Sequence, residues 1–254
     1  MIKQYQDKVW LKNKYWNEEL STYKIAKLCE VYQPTIYKWL IRFNIPLRSH
    51  SEAIHLGRVN HCNLSKNAIE WINGELLGDG CLYSYSSYSA SFRYTSKHKE
   101  YIEYIRDTLK SFGIKQSGKI YGRHHIDRGM NCYSYRYSSL EYEELLPIRR
   151  KWYPNNRKII PKDFKINPIT LRQHFIGDGY LQHNEGRRPR IELATNGFSI
   201  SDVNWLVQEL IKLGFKATRW ASHNSIGISV CSTKAFLNYI GKCPVKCYQY
   251  KWAY

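Results

Sequence analysis

The sequence has no long hydrophobic run and few acidic residues. No apolar stretch approaches the roughly 18 residues that a membrane-spanning helix needs, and residues 1–7 lack the apolar region of a signal peptide. The 21 acidic residues face 39 lysines and arginines, which gives a formal net charge of +18. These features argue against a membrane-spanning helix and a membrane partner, and they favour a partner with many negative charges, such as nucleic acid.

Cysteines are few and odd in number. Seven are scattered through 254 residues, which fits a reducing compartment better than a disulfide framework. Cys243 and Cys247 have no second pair at zinc-type spacing to face them, so we interpret both as buried, inert thiols. We therefore expect an intracellular protein of the cytoplasm or nucleoid, with an organelle as the alternative.

Two short segments of the chain repeat one pattern. Residues 72–80 (INGELLGDG) and 171–179 (LRQHFIGDG) are apolar helical runs that end in Gly-Asp-Gly and lead into strand-like sequence. We expect Gly80 and Gly179 to supply the positive φ that ends many helices. At 167–168, a cap residue and a proline mark the start of the second helix. The recurrence predicts a duplicated unit.

The aspartate of each segment lies at an unfavourable end of its helix. A helix C-terminus carries partial negative charge, so a carboxylate there is disfavoured by roughly several tenths of a kcal/mol or more. Two such carboxylates also repel each other if the helices pack together. A hard divalent cation, typically Mg²⁺, relieves both effects. We therefore predict a metal site at Asp79 and Asp178; the alternative is that Gly-Asp-Gly merely ends a helix.

The segments around these motifs resemble the single-chain LAGLIDADG homing endonucleases. Besides the two motifs, residues 151–161 (KWYPNNRKIIP) are similar to the family's inter-repeat segment and residues 243–252 (CPVKCYQYKW) to its closing segment. The resemblance covers roughly residues 64–254. Gln173 departs from it, because the family prefers a small residue there for close helix packing, which Gly74 provides in the first copy.

The resemblance implies an α+β fold, built from a pseudo-symmetric, duplicated αββαββα unit with two saddle-like antiparallel sheets. We assign the first LAGLIDADG repeat to 64–166 and the second to 167–254. The sequence itself supports the duplication, since 109–115 and 211–216 match around a shared glycine. By resemblance, the protein is a monomer with internal pseudo-twofold symmetry.

The resemblance also implies an activity, namely site-specific cleavage of double-stranded DNA. The expected target is long and asymmetric, the products carry short 3′ overhangs, and the biology is that of mobile introns or other mobile elements. The metal would be Mg²⁺ or Mn²⁺, with Ca²⁺ as a non-catalytic substitute. Its ligands would be the carboxylates of Asp79 and Asp178 and the carbonyls of Gly78 and Gly177.

Further site residues follow from the family and from the strand-like runs. By resemblance, Lys158 and Lys251 align with active-site lysines that polarise the scissile phosphate or orient water; taken alone, either is more often a solvated surface charge. We expect DNA binding largely through phosphates, with bases read from strand faces. The predicted contacts are Arg93, Lys119, Tyr121, Arg123, Arg136, Arg187, Arg188, Arg190 and Lys216.

The N-terminal part of the chain, residues 1–48, is interpreted as three helices in a small all-α domain. The spacing of the last two resembles a helix-turn-helix, whose second helix enters the major groove by its N-terminal end. The predicted contacts on that helix are Thr35, Tyr37 and Lys38. The alternative is a three-helix packing module. Residues 49–63 lack periodicity and are predicted to be a linker.

Two other functions remain open. The same scaffold can assist splicing as an RNA-binding intron maturase, and stronger binding to a structured intron than to duplex DNA would favour this. A non-catalytic DNA-binding regulator is the second alternative. Retention of both aspartates and both lysines argues against the regulator.

Overall fold

The structure is a computed structural model, and it falls into two compact units. It describes residues 3–50, 52–53, 60–127, 129–183 and 188–254. One unit comprises residues 1–60 with 86–89, and the other comprises 61–85 with 90–254. The predicted contact Arg187 and part of the predicted linker lie outside the described residues.

The smaller unit consists of short helices around an apolar core. Among its described residues it contains α1 (Lys8–Lys12), α2 (Thr22–Leu28) and α3 (Gln33–Arg42), with a 3₁₀ turn at Gln4–Gln6 and a π-helical turn at Asn13–Asn17. The hydroxyl of Ser21 accepts a hydrogen bond from the Lys24 amide and caps α2. Pro34 lies in the first turn of α3. Ile25, Ile36 and Leu40 are fully buried in the core.

In its described residues the larger unit contains two four-stranded antiparallel sheets with the same strand order. The first sheet is β1 (Cys81–Tyr83), β2 (Ser91–Ser96), β3 (Tyr121–Asp127) and β4 (Met130–Ser138), ordered β1-β2-β4-β3. The second is β5 (Gly179–Gln182), β6 (Arg190–Leu193), β7 (Ala217–Trp220) and β8 (Ser225–Ile228), ordered β5-β6-β8-β7. The repeated order confirms the predicted duplicated α+β fold.

In the part of the chain that the structure describes, each sheet is accompanied by three α-helices. They are α4 (Lys66–Leu77), α5 (Lys99–Ser111) and α6 (Leu145–Trp152), then α7 (Pro168–Asp178), α8 (Ile200–Lys212) and α9 (Val230–Ile240), with a 3₁₀ helix at Lys246–Trp252. Asn167 caps α7 and Pro168 begins it, as predicted. Among the described residues, no helix has the length and apolar character needed to cross a membrane.

The strand β2 shows how the sequence positions the core. Phe92 and Tyr94 are at most 1% exposed, whereas the alternating Arg93 and Thr95 lie on the opposite face. This is the predicted alternation. Since cross-strand partners share a face, the same side of the sheet is left to polar side chains on β3 and β4.

The motif helices α4 and α7 pack directly against each other at Gly74. A Cβ at this position would lie 2.8 Å from the Thr170 Cα and 2.9 Å from the Gln173 Cβ. The larger side chain of Gln173 is accommodated because its amide donates to Oε1 of the buried Glu75 at 2.6 Å. The departure from the family pattern at Gln173 is therefore compensated by a buried polar partner on the neighbouring helix.

The substitution Gly74→Ala should destabilise the protein by about 1–3 kcal/mol, the range for overpacking a close contact. The reason is that the added methyl group meets backbone atoms of α7, which cannot rotate away. Urea unfolding followed by circular dichroism measures the change. Gly197→Ala is the matched control, since a Cβ there meets nothing within 4 Å. Equal stability of the two variants would contradict the close packing.

The buried carboxyl group of Glu75 should make stability depend on pH. The hydroxyl of Tyr101 also donates to its Oε1 at 2.6 Å, while Oε2 has no hydrogen-bond partner within the described chain. Burial raises the pKa of Glu75 from 4.5 to about 8. Between these values the folded protein holds a proton that the unfolded chain has released, so stability falls as pH rises through this window.

We expect Glu75→Gln to remove this pH dependence. A one-proton difference corresponds to a slope of about 1.4 kcal/mol per pH unit, so wild type should lose stability relative to the variant between pH 5 and pH 8. Urea unfolding at both pH values tests this. Glu103→Gln on α5, where the side chain is half-buried, should keep the wild-type slope. An unchanged slope in Glu75→Gln would show that Glu75 is ionised throughout.

The glycines that close the two motifs serve a different purpose from the predicted one. Neither Gly80 nor Gly179 has a positive φ, so that prediction was wrong. A Cβ at Gly80 would lie 2.7 Å from the Glu75 carbonyl oxygen, and one at Gly179 would lie 2.2 Å from the Phe175 ring. Glycine is required here because the chain turns back onto its own helix.

The seven cysteines are free thiols. Cys243 and Cys247 are half-buried rather than buried. Burial raises the pKa of both thiols, that of Cys247 to about 11. Both therefore stay protonated and unreactive near neutral pH.

Candidate active site

Asp79 and Asp178 lie at adjacent C-terminal ends of the two motif helices. Gly78 is the C-terminal cap of α4, and Asp178 is the last residue of α7. A Cβ at Gly78 would lie 3.6 Å from the Gly177 Cα, and one at Gly177 would lie 3.3 Å from the Asp79 amide nitrogen. The structure thus brings together two aspartates that the sequence places in separate repeats.

The two aspartates have different surroundings. Asp79 is exposed, whereas Asp178 is half-buried. Burial, and secondly the negative charge of Asp79, raise the pKa of Asp178 to about 7, although Lys158 and Lys251 oppose the shift. The effect of Asp79 on Asp178 is the repulsion expected between two carboxylates at the adjacent C-terminal ends of paired helices.

Lys158 and Lys251 each donate to carbonyl oxygens at the end of one motif helix. Nζ of Lys158 lies 2.8 Å from the Gly78 oxygen and 3.1 Å from the Gly80 oxygen. Nζ of Lys251 lies 3.2, 2.5 and 3.3 Å from the carbonyl oxygens of Phe175, Ile176 and Gly177. A cation at a helix C-terminus is favourable, so the two ammonium groups complete the helix ends that carry the aspartates.

Lys251 is buried, and Lys158 is partly shielded from solvent. Lys251 is 6% exposed and Lys158 is half-buried, so the interpretation of these residues as solvated surface charges is wrong. Burial lowers the pKa of both, that of Lys251 to about 8, while the charge of Asp178 opposes the shift. Each lysine therefore lies within the site, against the carbonyl oxygens of one helix end.

The donor set fits a hard divalent cation with few protein ligands. No group of three or more His, Cys, Asp or Glu side chains that could hold a metal occurs in the part of the chain that the structure describes. Two carboxylates and nearby carbonyls are an all-oxygen set, and Mg²⁺ is typically held by one or two carboxylates together with waters and substrate phosphates. The Gly78 and Gly177 carbonyls each accept a hydrogen bond from a lysine, which leaves each oxygen one further lone pair for a metal.

The predicted DNA contacts of the first repeat share one face of the first sheet. Arg136 on β4 is paired with Thr95 of β2 and with Tyr121 of β3, so these three lie on the face opposite the core. The predicted contacts on this face are Arg93, Tyr121, Arg123 and Arg136, and Lys119 is exposed just before β3. The Arg93 guanidinium lies 4.1 Å from the Tyr83 ring centre.

On the second sheet, Arg190 is held between neighbouring side chains. Its Nε donates to Gln182 Oε1 at 2.6 Å, and its guanidinium lies 4.4 Å from the Trp220 ring centre. A Cβ at Gly227 would lie 2.2 Å from the Trp220 ring, so the indole covers this glycine. Arg188 and Lys216 are exposed.

Two residues of this region were missed by sequence reasoning. Trp220 supports Arg190, and Tyr94 donates a hydrogen bond to Asp79. The signal at Tyr94 is a tyrosine at a buried strand position, because its hydroxyl needs a partner. For Trp220 the sequence gives no signal, since the contact joins strands that are far apart in the chain.

The predicted contacts of the smaller unit lie on α3. Tyr37 and Lys38 are exposed and Thr35 is half-buried. Thr35 and Tyr37 follow Pro34 within the N-terminal half of the helix, and Lys38 is its sixth residue of ten. These side chains are accessible at the end of the helix by which a recognition helix reads a groove.

Comparison with known proteins identifies the family. Residues 69–236 match the LAGLIDADG DNA endonuclease family, and the chain belongs to it. In fold it is similar to the homing endonuclease I-WcaI, solved bound to its DNA recognition sequence, with a TM-score of 0.67 at 20% identity, covering 82% of this chain and 95% of that one.

Two curated relatives match part of the chain. The uncharacterised protein MJ1098 of Methanocaldococcus jannaschii is 29% identical over 148 residues, 58% of this chain and 57% of that protein. The cytochrome b mRNA maturase bI2 of Debaryomyces hansenii is 24% identical over 164 residues, 61% of this chain and 60% of that protein. The matched region thus spans less than two thirds of either relative.

Proposed function

We propose that the protein is a site-specific double-strand DNA endonuclease that uses Mg²⁺ or Mn²⁺ at Asp79 and Asp178. The observation that carries the proposal is the close approach of the C-terminal ends of α4 and α7. Asp79 follows the cap residue Gly78 of α4, and Asp178 is the last residue of α7. Family membership supports a nuclease that acts on DNA.

The chain's own residues serve defined roles in phosphodiester hydrolysis. In this reaction a water oxygen bonds to phosphorus while the opposite phosphorus–oxygen bond breaks, which leaves a phosphate on one end and a hydroxyl on the other. A divalent cation, when bound, lowers the pKa of water and stabilises charge on the leaving oxygen. Asp79 and Asp178 supply acceptor oxygens near a pseudo-twofold axis, so that each serves one strand. Lys158 and Lys251 add positive charge beside the phosphate.

Binding is proposed to rely on the cationic sheet faces. A net charge of +18 favours a polyanion, and phosphate contacts from Lys and Arg set the register while side chains on the strands read bases. The partner is double-stranded DNA, bound by a monomer. A helix-turn-helix at α2 and α3 would lengthen the recognised site through Thr35, Tyr37 and Lys38. The free thiols support a reducing intracellular compartment.

Replacing two cations of the first sheet should weaken the salt dependence of DNA binding. Each phosphate contact contributes roughly −0.9 to the slope of log K against log salt concentration, so Lys119→Ala with Arg123→Ala should reduce the slope by about 2. Fluorescence anisotropy at several KCl concentrations measures it. Lys110→Ala with Lys212→Ala, on exposed positions of α5 and α8, is the control; an equal change there would refute a specific cationic face.

The activity itself is tested by selecting cleaved DNA from a random library in the presence of Mg²⁺. We expect enrichment of one long asymmetric target, and no enrichment with the double variant Asp79→Asn, Asp178→Asn. Enrichment that is absent with wild type, or equal with the double variant, would overturn the proposal.

An RNA maturase is the second candidate, and the similarity to the maturase bI2 favours it. Binding constants for a structured intron RNA and for the selected duplex, measured at the same salt concentration, distinguish the two functions. Tighter binding to the RNA, without cleavage of DNA, would support the maturase. Tighter binding to the duplex supports the endonuclease and its place in a mobile element.

A further inference from the structure

Tyr94 lies where the two motif ends meet, although the mechanism above does not use it. It is 1% exposed, and its hydroxyl donates to Asp79 Oδ2 at 3.4 Å. The same hydroxyl lies 3.3 Å from the position that a Cβ would take at Gly177. It therefore reaches the end of α4 and the end of α7 together.

The Tyr94 hydroxyl depends on Asp79 for its hydrogen bond. Within the described ranges, the Asp79 carboxylate is its hydrogen-bond partner, and a buried hydroxyl without a partner costs free energy. Asp79 is exposed, so its carboxylate would otherwise rotate in solvent. The hydrogen bond favours the orientation that turns Oδ2 inward and leaves Oδ1 for other ligands; such bonds are often long before substrate binds.

The position of Tyr94 is fixed by the core around it. Its ring packs edge-on against Tyr101 at a centroid distance of 5.4 Å, and the Tyr101 hydroxyl is itself bound to Glu75 at 2.6 Å. Across the sheet, Tyr94 is paired with Tyr137 of β4. The hydroxyl therefore approaches Asp79 from a rigid base.

Among the described residues, the second half of the site has no hydroxyl equivalent to that of Tyr94. Leu82 pairs with Phe92 in the first sheet, and Leu181 pairs with Ile191 in the second. Tyr94 lies two residues after Phe92, and Leu193 lies two residues after Ile191, so Leu193 occupies the position that corresponds to Tyr94. Leu193 is 1% exposed and has no side-chain hydrogen-bond donor. In the described part of the chain, Asp178 receives no side-chain hydrogen bond, so the two aspartates are oriented by different means.

We propose that Tyr94 is a positioning residue that orients the Asp79 carboxylate, so that cleavage of one DNA strand depends on a hydroxyl that the other strand's half-site lacks. This inference rests on the proposed endonuclease function. Partners that orient a ligating carboxylate typically contribute 10–100-fold to metal affinity or activity. Loss of the hydroxyl should therefore unbalance the two strand cleavages.

The test compares Tyr94→Phe with wild type on a duplex labelled separately on each strand. Under single-turnover conditions with Mg²⁺, the ratio of the two strand cleavage rates should change about tenfold. A second measurement, which does not depend on cleavage, follows Ca²⁺ binding to the protein–DNA complex by calorimetry. In Tyr94→Phe the Ca²⁺ concentration at half-saturation should be higher than in wild type. Tyr137→Phe is the matched control. Tyr137 is the cross-strand partner of Tyr94, and its buried hydroxyl has no hydrogen-bond partner among the described residues.

The outcomes separate this inference from the function beneath it. A changed strand ratio with a raised Ca²⁺ midpoint, in a variant whose thermal unfolding matches Tyr137→Phe, supports the positioning role. Equal slowing of both strands, or an unchanged ratio and midpoint, overturns the role of Tyr94 while leaving the endonuclease intact. A wild-type chain that cuts neither strand overturns the proposed function and this inference with it.

Discussion

Asp79→Asn and Asp178→Asn should each slow cleavage of at least one strand by roughly 10²–10³-fold or more, the scale of losing one electrostatic group in an active site. The amide keeps the shape of the side chain but removes the charge that a hard cation requires. Binding should stay near that of wild type, because the proposed phosphate contacts lie on the sheets. Conversion of supercoiled plasmid to nicked and linear forms measures cleavage, and anisotropy measures binding.

The control for these variants is Asp107→Asn on α5. Its carboxylate is 62% exposed and pairs with Arg106, so the same chemical change occurs away from the site and should leave both strand cleavages intact. If a variant of Asp79 or Asp178 still cut both strands at full rate, that aspartate would have no place in the mechanism. Loss of binding together with cleavage would instead indicate a structural role.

Lys158→Met and Lys251→Met should each lower the cleavage rate by roughly 10²-fold, because a positive charge beside the phosphate is lost. Their effects on stability should differ. Methionine keeps much of the lysine packing, but Lys251→Met leaves buried carbonyl oxygens of α7 without their donor, at about 1–3 kcal/mol for such a group. Lys158 is only half-buried, so water can replace it.

Single-turnover cleavage and thermal unfolding, measured on the same preparations, separate the two effects. Lys110→Met, at an exposed position of α5, should change neither. A Lys158→Met protein that is as stable as wild type and cuts at the wild-type rate would contradict a role for this lysine beyond capping α4. For Lys251→Met, a fall in stability without slower cleavage at low temperature would assign it to the helix end alone.

The parts of the fold that were predictable are those encoded by local pattern. The cap at Asn167 and Pro168 and the alternation of Phe92 and Tyr94 with Arg93 follow from residues close together in the chain. The repeated succession of helices and strands follows from the internal repeat of the sequence. The pairing of the two aspartates was predictable only because the motif occurs twice. Each of these features depends on periodicity or on repetition, which a sequence displays directly.

The parts that were not predictable depend on contacts between distant residues. The requirement for glycine at Gly80 and Gly179 comes from the preceding helical turn meeting the returning chain, not from φ. The compensation of Gln173 by Glu75 joins two helices. Lys251 turned out to be buried, because the closing 3₁₀ helix inserts it beneath α7. None of these partners can be assigned before the tertiary packing is known.

The stacking of Trp220 over Gly227 would constrain any redesign of the DNA contact that we propose for Arg190. The indole occupies the space that any side chain at Gly227 would need, and Arg190 rests on the same ring. A designer who exchanges Arg190 alone would leave the indole without its cation, and one who fills Gly227 would displace the indole itself. A change of contact at these three neighbouring strands therefore requires exchanging Arg190, Trp220 and Gly227 together.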